Sequence, residues 1–290
     1  MKIQIKHGLL AVLIIITAVV YFLYLKPVRE TIIFFPLDPS LQFDIASTAL
    51  ETKQGNGSYS ISWSELSVLN TQAYLRQDIS LLYKNGKLVS VLKDWKQNSQ
   101  SITQAERLPI EESSMFQAVT FHYAEVHPSE SEIYSAQSLT GDQLYVIRSP
   151  YSTFQSFKHP TSAEQKEWKL VLDQTANSVI TESLNQAVSA FAIDRNRYSV
   201  AALTDLKSKQ GNLLTGYTES KQNEIIGKLW EGLYRNYVLG IKHDNGNELS
   251  PLGSSVPLLL VAQDKKELLV VFSASDGSPV MLRQKLPTPR

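Results

Sequence analysis

The strongest apolar pattern in the chain is an unbroken run of eighteen uncharged residues that begins at Gly8 and ends at Leu25. At the helical rise of about 1.5 Å per residue, such a run extends about 27 Å, close to the roughly 30 Å hydrocarbon core of a bilayer. The sequence therefore predicts one transmembrane helix over residues 8–25, after a short basic tail, residues 1–7. The residues expected at the two membrane interfaces are Lys2, Lys6, Tyr21, Tyr24, Lys26 and Arg29.

The end of this run favours a retained anchor over a cleaved signal peptide. A cleavable signal has an apolar core of about 7–15 residues followed by small residues, whereas this run is longer and ends in aromatic residues and Lys26. Two basic residues flank each side, but long domains are translocated largely regardless of charge. We expect a single-pass plasma-membrane protein, most simply a bacterial one, with the basic tail in the cytoplasm and the C-terminal domain outside.

Residues 26–40 form a juxtamembrane segment that contains a short apolar stretch, residues 31–35, before Pro36. This stretch could lie at the membrane interface or bind a partner there. A brief apolar run bounded by proline is more often a buried strand, so we expect it to pack into the domain that follows.

Between residues 41 and 150 the pattern is that of antiparallel sheet. Tyr59, Ile61 and Trp63 alternate with serines, which predicts a strand with one apolar face. Two apolar stretches meet at Asn85-Gly86, a pair that tolerates the positive φ angles of a type I′ turn, so a hairpin is predicted there. Further strands are expected over 115–127, 133–139 and 143–148, with an exposed loop over 97–114 and a turn at 140–142.

Helical patterns begin only after Pro160. A capping box formed by Thr161 and Glu164 predicts a long helix over residues 162–191. A shorter amphipathic helix is expected to begin near Glu219, after a polar connection over 194–218. Strands over 256–262, 268–274 and 280–286 then form a C-terminal meander. The residues expected on the buried stripe of the long helix are Trp168, Val171, Leu172, Val179, Ile180, Leu184, Val188 and Phe191.

These patterns together predict an α+β fold: an N-terminal transmembrane helix, an antiparallel β-sheet, one long and one shorter amphipathic helix, and a C-terminal β-meander. Residues 41–150 are expected to form a β-rich subdomain and residues 151–290 an α+β subdomain. A single continuous domain over 41–290 is the alternative.

Charge and composition exclude several classes of function. The chain has 28 basic and 28 acidic residues, and four basic and one acidic residue lie in its first thirty, so the remainder carries 24 basic and 27 acidic residues. A slightly acidic domain lacks the basic face that nucleic acid requires. The absence of cysteine excludes thiol nucleophiles, iron–sulfur clusters and zinc–thiolate sites. Without a phosphate-binding glycine loop, we expect no nucleotide and no cofactor.

The candidate chemical motifs each have a simpler interpretation. His122, Glu125 and His127 lie in one predicted strand, where alternation directs His122 to the face opposite the other two, so no metal site is expected. Ser90 and Lys93 have the S-x-x-K spacing of penicillin-recognising enzymes, but they lie on a hairpin strand and lack the partner motifs. The polar cluster over 243–248 does not have the spacing of a calcium loop and is interpreted as a turn.

By elimination, we expect a membrane-anchored extracytoplasmic domain without enzymatic activity that binds, senses or assembles a partner in the envelope or membrane. An envelope hydrolase whose site is assembled from residues distant in sequence is one alternative. A carrier of a lipid or small apolar ligand, with a large dry cavity beneath the long helix, is another.

Overall fold

Two larger antiparallel sheets, one two-stranded sheet and three α-helices form the regular structure of the described part of the chain in the computed structural model, which covers residues 32–55, 57–129, 131–242 and 248–289. The chain from Ile32 onward forms one compact unit. The helices are α1 (Ala163–Ala190), α2 (Leu206–Leu213) and α3 (Glu219–Leu233). The strands are β1 (Phe43–Gly55), β2 (Ser58–Lys84), β3 (Lys87–Pro109), β4 (Ser114–Ser129), β5 (Glu132–Ile147), β6 (Gln155–Phe157), β7 (Tyr198–Ala202), β8 (Ile241–Lys242), β9 (Glu248–Leu249), β10 (Leu258–Ala262), β11 (Glu267–Ser273) and β12 (Pro279–Lys285). The α+β class is therefore confirmed.

The large sheet is curled because its longest strand changes neighbours halfway along. The first half of β2 pairs with β1 and with the end of β3, whereas its second half pairs with the start of β3 and with β4. The pairing register shifts between Val68 and Ala73, where the two halves meet. Strand order is β1-β2-β4-β5-β6, with β3 on the other side of β2. This change of neighbours brings β1 beside β4 and β5.

Side chains, rather than a backbone ladder, join β1 to the rest of the sheet along what we call the seam. The Thr48 hydroxyl contacts those of Thr120 and Thr140, at 2.6 and 2.5 Å. The backbone N–H of Leu50 donates to Asp142 Oδ2 at 2.7 Å. Among the described residues, no backbone pairing connects β1 with β5. The sheet thus encloses an interior, and we call the side of the sheet that lines it the inner face.

The main hydrophobic core lies against the other side of the large sheet, its outer face. There α3 packs between the large sheet and the small sheet, which has strand order β12-β11-β10-β7. The Trp230 ring of α3 is fully buried and stacks on Phe121 of β4, with ring centres 5.1 Å apart. Ile226, Leu229, Trp230 and Leu233 of this amphipathic helix are all buried, and so is Tyr237 in the π-helical turn that follows it.

The long helix α1 spans both sheets, and its contacts explain which parts of the predicted stripe were wrong. Leu172 and Ala176 pack on the large sheet, while Leu184 and Ala187 pack on the small one. Val171 is 50% exposed, because the buried face of the helix runs through Leu172 and Ala176. Phe191, also on the predicted stripe, is 36% exposed at the end of the helix.

The start of α1 also differs from the prediction by one residue. Ser162, not Thr161, caps the helix: its hydroxyl accepts from the N–H of Gln165 at 3.1 Å. The Gln165 side chain accepts from the N–H of Thr161, one residue before the cap, at 2.8 Å. The predicted reciprocal box of Thr161 and Glu164 is therefore wrong.

Three local predictions for the connections are wrong. Residues 97–109 continue strand β3 instead of forming a loop, and β5 runs without a turn through residues 140–142. The interval 194–218 contains β7 and α2. By contrast, the Asn85-Gly86 hairpin is confirmed, with φ angles of 49° and 83°, and so is the C-terminal meander.

The predicted juxtamembrane stretch packs on the domain from Ile32 onward. It is extended chain with one isolated β-bridge, at Leu37, and does not form a full strand. Ile32 is 1% exposed, and the N–H of Phe34 donates to the Glu231 carboxylate at 3.2 Å. The Ser135 hydroxyl donates to the carbonyl of Phe35 at 2.6 Å. The expected packing into the domain is therefore confirmed for residues 32–38.

Candidate functional site: a buried polar layer and an open sheet edge

The inner face of the large sheet carries a polar layer between two apolar clusters. One cluster includes Trp63 and Phe116, and the other includes Leu69 and Ala124. Apart from the partly buried Thr48, the side chains of the layer are almost completely buried. The polar layer consists of Thr48, Glu65, Ser67, Arg76, Asp78, Ser80, Thr120, His122 and Thr140.

Strand alternation and register bring these residues together. Asp78 of β2 lies directly opposite His122 of β4 in the ladder, so both side chains point to the same face. Glu65 and Ser67 come from the first half of the same strand, which the curl brings over the second half. The layer therefore depends on the change of neighbours along β2.

The carboxylate and imidazole groups form the centre of the layer. Oδ2 of Asp78 accepts a hydrogen bond from the Ser67 hydroxyl and lies 2.7 Å from Nδ1 of His122. Oε2 of Glu65 lies 3.6 Å from the same nitrogen. Both carboxyl oxygens of Glu65 and Oδ1 of Asp78 are buried and have no hydrogen-bond partner among the residues that the structure describes. Buried polar atoms of this kind are rare in folded proteins and need an explanation.

Arg76 supplies the positive charge of the layer. Its guanidinium donates to the Ser67 hydroxyl and to the carbonyl of Gln100 at 2.5 Å, and it lies over the Phe43 ring, 5.0 Å from the ring centre. Nη2 is 3.7 Å from Oδ1 of Asp78, which is within ion-pair range but too far for a hydrogen bond. The guanidinium therefore offsets the Asp78 charge without saturating that carboxylate.

Burial determines the charge state of the two carboxyl groups. Loss of water raises the pKa of Glu65 to about 9, and the charge of Asp78 raises it further, so Glu65 is protonated at neutral pH. Burial also acts to raise the pKa of Asp78, but its hydrogen bond and charge interaction with His122 outweigh that effect and leave the pKa below its usual value. The layer thus holds one ionised and one neutral carboxyl group a few ångströms apart.

A chain of hydroxyl groups connects His122 to the seam. Nε2 of His122 is 2.8 Å from the hydroxyl of Thr140, which is 2.5 Å from that of Thr48. Thr48 donates to Thr120 at 2.6 Å, and the Thr120 and Ser80 hydroxyls are also 2.6 Å apart. These contacts fix the orientation of the imidazole ring.

The sequence-predicted site residues have mixed outcomes. The anchor and its flanking residues lie outside the described residues, within which no helix has the length and apolarity that a membrane crossing requires. His122 is indeed separated from the other two candidate ligands, because the His127 ring contacts the Glu125 carboxylate away from the polar layer. The cluster at 243–248 falls almost entirely outside the described part of the chain.

Sequence reasoning missed Glu65 and Asp78. Both stand on the inner face of β2, whose other residues are apolar or carry hydroxyls apart from Arg76, and an acidic residue at an inward position was the available signal. Without the register between β2 and β4, that signal did not indicate which histidine the carboxylates would meet.

The outer edge of β3 is the second feature with a possible function. Beyond Leu88, which bonds to Ser254, β3 pairs only with β2 within the described chain. Along residues 89–109 one row of backbone N–H and C=O groups therefore faces outward. Trp95 is 43% exposed on this edge strand, and the structure describes no ion pair for Lys93 or Arg107. Such a long free edge is a template for pairing with another strand.

Comparison with protein-family models, with curated proteins and with solved structures gave no match to this chain.

Proposed function

We propose that this protein is a membrane-anchored extracytoplasmic domain that binds an envelope or membrane protein, and that the outer edge of β3 is its binding surface. The free edge over residues 89–109 supports this proposal, because an extended segment that added to it would gain a row of backbone hydrogen bonds. Anchoring in a membrane would raise the effective concentration of the domain toward partners in the same membrane.

The charges along the edge indicate the chemistry of the partner. Lys93 and Arg107 are exposed and have no ion pair within the described structure, whereas Asp94 lies 3.8 Å from Lys96 and Glu106 accepts from the Ser90 hydroxyl. Residues 89–109 carry three basic and two acidic side chains, so the edge has a net charge of +1. The occupant that fits is an extended segment with acidic residues, which would pair with these two cations and with the free backbone groups.

The absence of cysteine makes this proposal directly testable in intact cells. Gln97→Cys and Thr103→Cys place single thiols on β3, and Glu182→Cys places one on the exposed side of α1 as a matched control. After reaction with a thiol-specific photo-crosslinker, both β3 variants should capture the same protein and the α1 variant should not. Equal capture at all three positions, or none at the β3 positions, would contradict the binding surface.

The orientation proposed for the domain has its own test. Protease added to spheroplasts should digest the domain, because it lies outside the cytoplasm. Full protection with an intact membrane would contradict that orientation, and release of a soluble domain that lacks residues 1–25 would contradict the retained anchor.

The hydrolase alternative would require access to the polar layer, where Glu65 has the shifted pKa typical of catalytic groups. Glu65, Asp78 and His122 are at most 1% exposed, so substrate could reach them only if the sheet opened. Turnover of an envelope substrate by the purified full chain, abolished by Asp78→Asn with the fold intact, would favour that alternative over binding.

A further inference from the structure

We propose that the polar layer binds one divalent transition-metal cation, with Zn²⁺ as the preferred ion, through Glu65, Asp78 and His122. The geometric basis is that each residue offers one ligand atom and that these atoms lie within 4.8 Å of one another. On its own strand His122 has no second ligand, which is why the sequence predicts no metal site there. The structure supplies two carboxylates from β2 instead.

Unsatisfied carboxyl oxygens are the observation that points to a cation. Three oxygens, two of Glu65 and Oδ1 of Asp78, are buried in the layer without any hydrogen-bond donor. A buried carboxyl group without partners is costly, whereas a bound metal ion can coordinate oxygens from both residues. The Glu125–His127 pair shows the contrast, since those two side chains contact each other.

The hydroxyl chain prepares His122 as a ligand. Thr48 donates its only hydroxyl proton to Thr120, so in the Thr48–Thr140 contact Thr140 must be the donor. The Thr140 oxygen is then left to accept from Nε2–H of His122. The remaining ring proton is the one that Nδ1 shares with Oδ2 of Asp78, and a metal ion that displaced it would meet the Nδ1 lone pair on the side of the two carboxyl groups. Metal-bound histidines are commonly oriented in this way through their second nitrogen.

The donor set and spacing fit a small transition-metal ion. One imidazole nitrogen and two carboxylates suit Zn²⁺, whereas Ca²⁺ prefers six to eight oxygen ligands. A tetrahedral Zn²⁺ with bonds of about 2.0–2.1 Å holds its donors about 3.3 Å apart. Nδ1 of His122 and Oε2 of Glu65, now 3.6 Å apart, need only a small movement to reach that geometry.

The positive charge of Arg76 repels a bound cation, but the guanidinium makes no hydrogen bond to the proposed ligand atoms. It bonds to Ser67 and Gln100, neither of which is a proposed ligand, and is 3.7 Å from Oδ1 of Asp78. Two carboxylates shared between one guanidinium and one dication leave a small net positive charge. We therefore expect an affinity below that of a site without a neighbouring cation.

Refolding in the presence of the metal gives the ion access to the buried layer without depending on how often the folded sheet opens. The full-length chain in detergent is unfolded with chelator present and refolded with or without Zn²⁺, and bound metal is measured by mass spectrometry after desalting. Wild type should retain one Zn²⁺ per chain and unfold several degrees higher than the metal-free form. Glu65→Gln and His122→Gln should retain none, whereas Glu125→Gln and His127→Gln should retain one.

Two outcomes would overturn the proposal: refolded wild type that retains no Zn²⁺, or equal retention by the Glu65→Gln and His122→Gln chains. Cobalt provides a readout on wild type alone, should the variants not fold. Co²⁺ in the layer should give the visible bands of a four-coordinate nitrogen and oxygen site, with no thiolate charge transfer, because the chain has no cysteine. Absence of those bands would also contradict the site, as would preferential retention of Ca²⁺.

Discussion

Two glycines in the same helix provide a controlled test of how residues 32–36 dock on the domain. A Cβ at Gly227 of α3 would lie 2.0 Å from Cδ2 of Phe34 and 2.8 Å from Oε1 of Gln137. A Cβ at Gly232, five residues further along α3, would have nothing within 4 Å. Gly227→Ala should therefore displace Phe34, whereas Gly232→Ala should be accommodated without any movement.

The magnitudes follow from comparing the two variants. Replacing a helical glycine by alanine stabilises a helix by about 0.5–1 kcal/mol, and this contribution is shared by both changes. Overpacking a buried contact costs about 1–3 kcal/mol. Gly232→Ala should raise the free energy of unfolding by about 0.5–1 kcal/mol. The free energy of unfolding of Gly227→Ala should be about 1–3 kcal/mol lower than that of Gly232→Ala.

Denaturant unfolding of the full-length chain in detergent measures both free energies, and limited proteolysis within residues 32–36 reports whether Phe34 has left its site. Faster cleavage is expected only for Gly227→Ala. If both variants were stabilised equally and cleaved at the wild-type rate, the packing of Phe34 against α3 would be refuted.

Three further predictions concern α1 and the buried tyrosines. Asp173→Ala should lower the free energy of unfolding by about 1–2 kcal/mol, because the carboxylate accepts from the buried Tyr145 hydroxyl at 2.6 Å. In a double-mutant cycle with Tyr145→Phe, most of that loss should appear as coupling energy between the two residues. Additive effects would contradict the hydrogen bond. Leu172 is 4% exposed, so Leu172→Ala should lower the free energy of unfolding by about 2–5 kcal/mol. Leu170 is 60% exposed, so Leu170→Ala should change it by less than about 0.5 kcal/mol. Similar losses for the two variants would mean that the buried face of the helix is misassigned. Burial raises the pKa of both Tyr145 and Tyr237 to about 12. The stability that their neutral hydroxyls contribute is therefore complete below about pH 10 and should be lost as the pH rises toward 12. Alkaline unfolding curves that do not shift with Tyr237→Phe would contradict this prediction.

Helical position alone does not indicate the cost expected at Asp173. This residue lies off the apolar stripe of α1, where a side chain that faces only solvent would tolerate substitution. Its carboxylate accepts hydrogen bonds from the Tyr145 hydroxyl of β5, which is 1% exposed, and from Lys169 one turn earlier on the helix. Periodicity indicates which side of a helix is apolar, but it does not indicate which polar residue meets a buried hydroxyl across the interface.

Elements with strong local signals were predicted well. The Asn85-Gly86 turn, α1, α3 and the C-terminal meander each rest on local chemistry: positive φ, side-chain caps or short-range alternation. Their locations therefore required no knowledge of distant contacts.

Elements whose composition is set by distant partners were missed. The second half of β3 is polar because it borders solvent, so it resembled a loop. Thr140-Gly141-Asp142 resembled a turn, but Thr140 is needed inside as a partner of His122, and a Cβ at Gly141 would lie 2.9 Å from the carbonyl of Ala118. Here the glycine permits close approach of two strands instead of a reversal of the chain.

The candidate site could be predicted only in part for the same reason. Alternation correctly separated His122 from Glu125 and His127. Asp78 meets His122 through the register of β2 on β4, and Glu65 meets it only because β2 changes neighbours between its two halves. Short-range alternation records neither feature.

The seam between β1 and β5 gives the domain a low-energy mode of opening. Each side-chain hydrogen bond across the seam contributes about 0.5–1.5 kcal/mol. β1 can move away from β5 while all its backbone hydrogen bonds to β2 remain in place. In native-state amide exchange, such a movement would appear as a cooperative unit that opens at lower free energy than global unfolding. Water and ions would then reach the interior of the sheet on a timescale that does not require the protein to unfold.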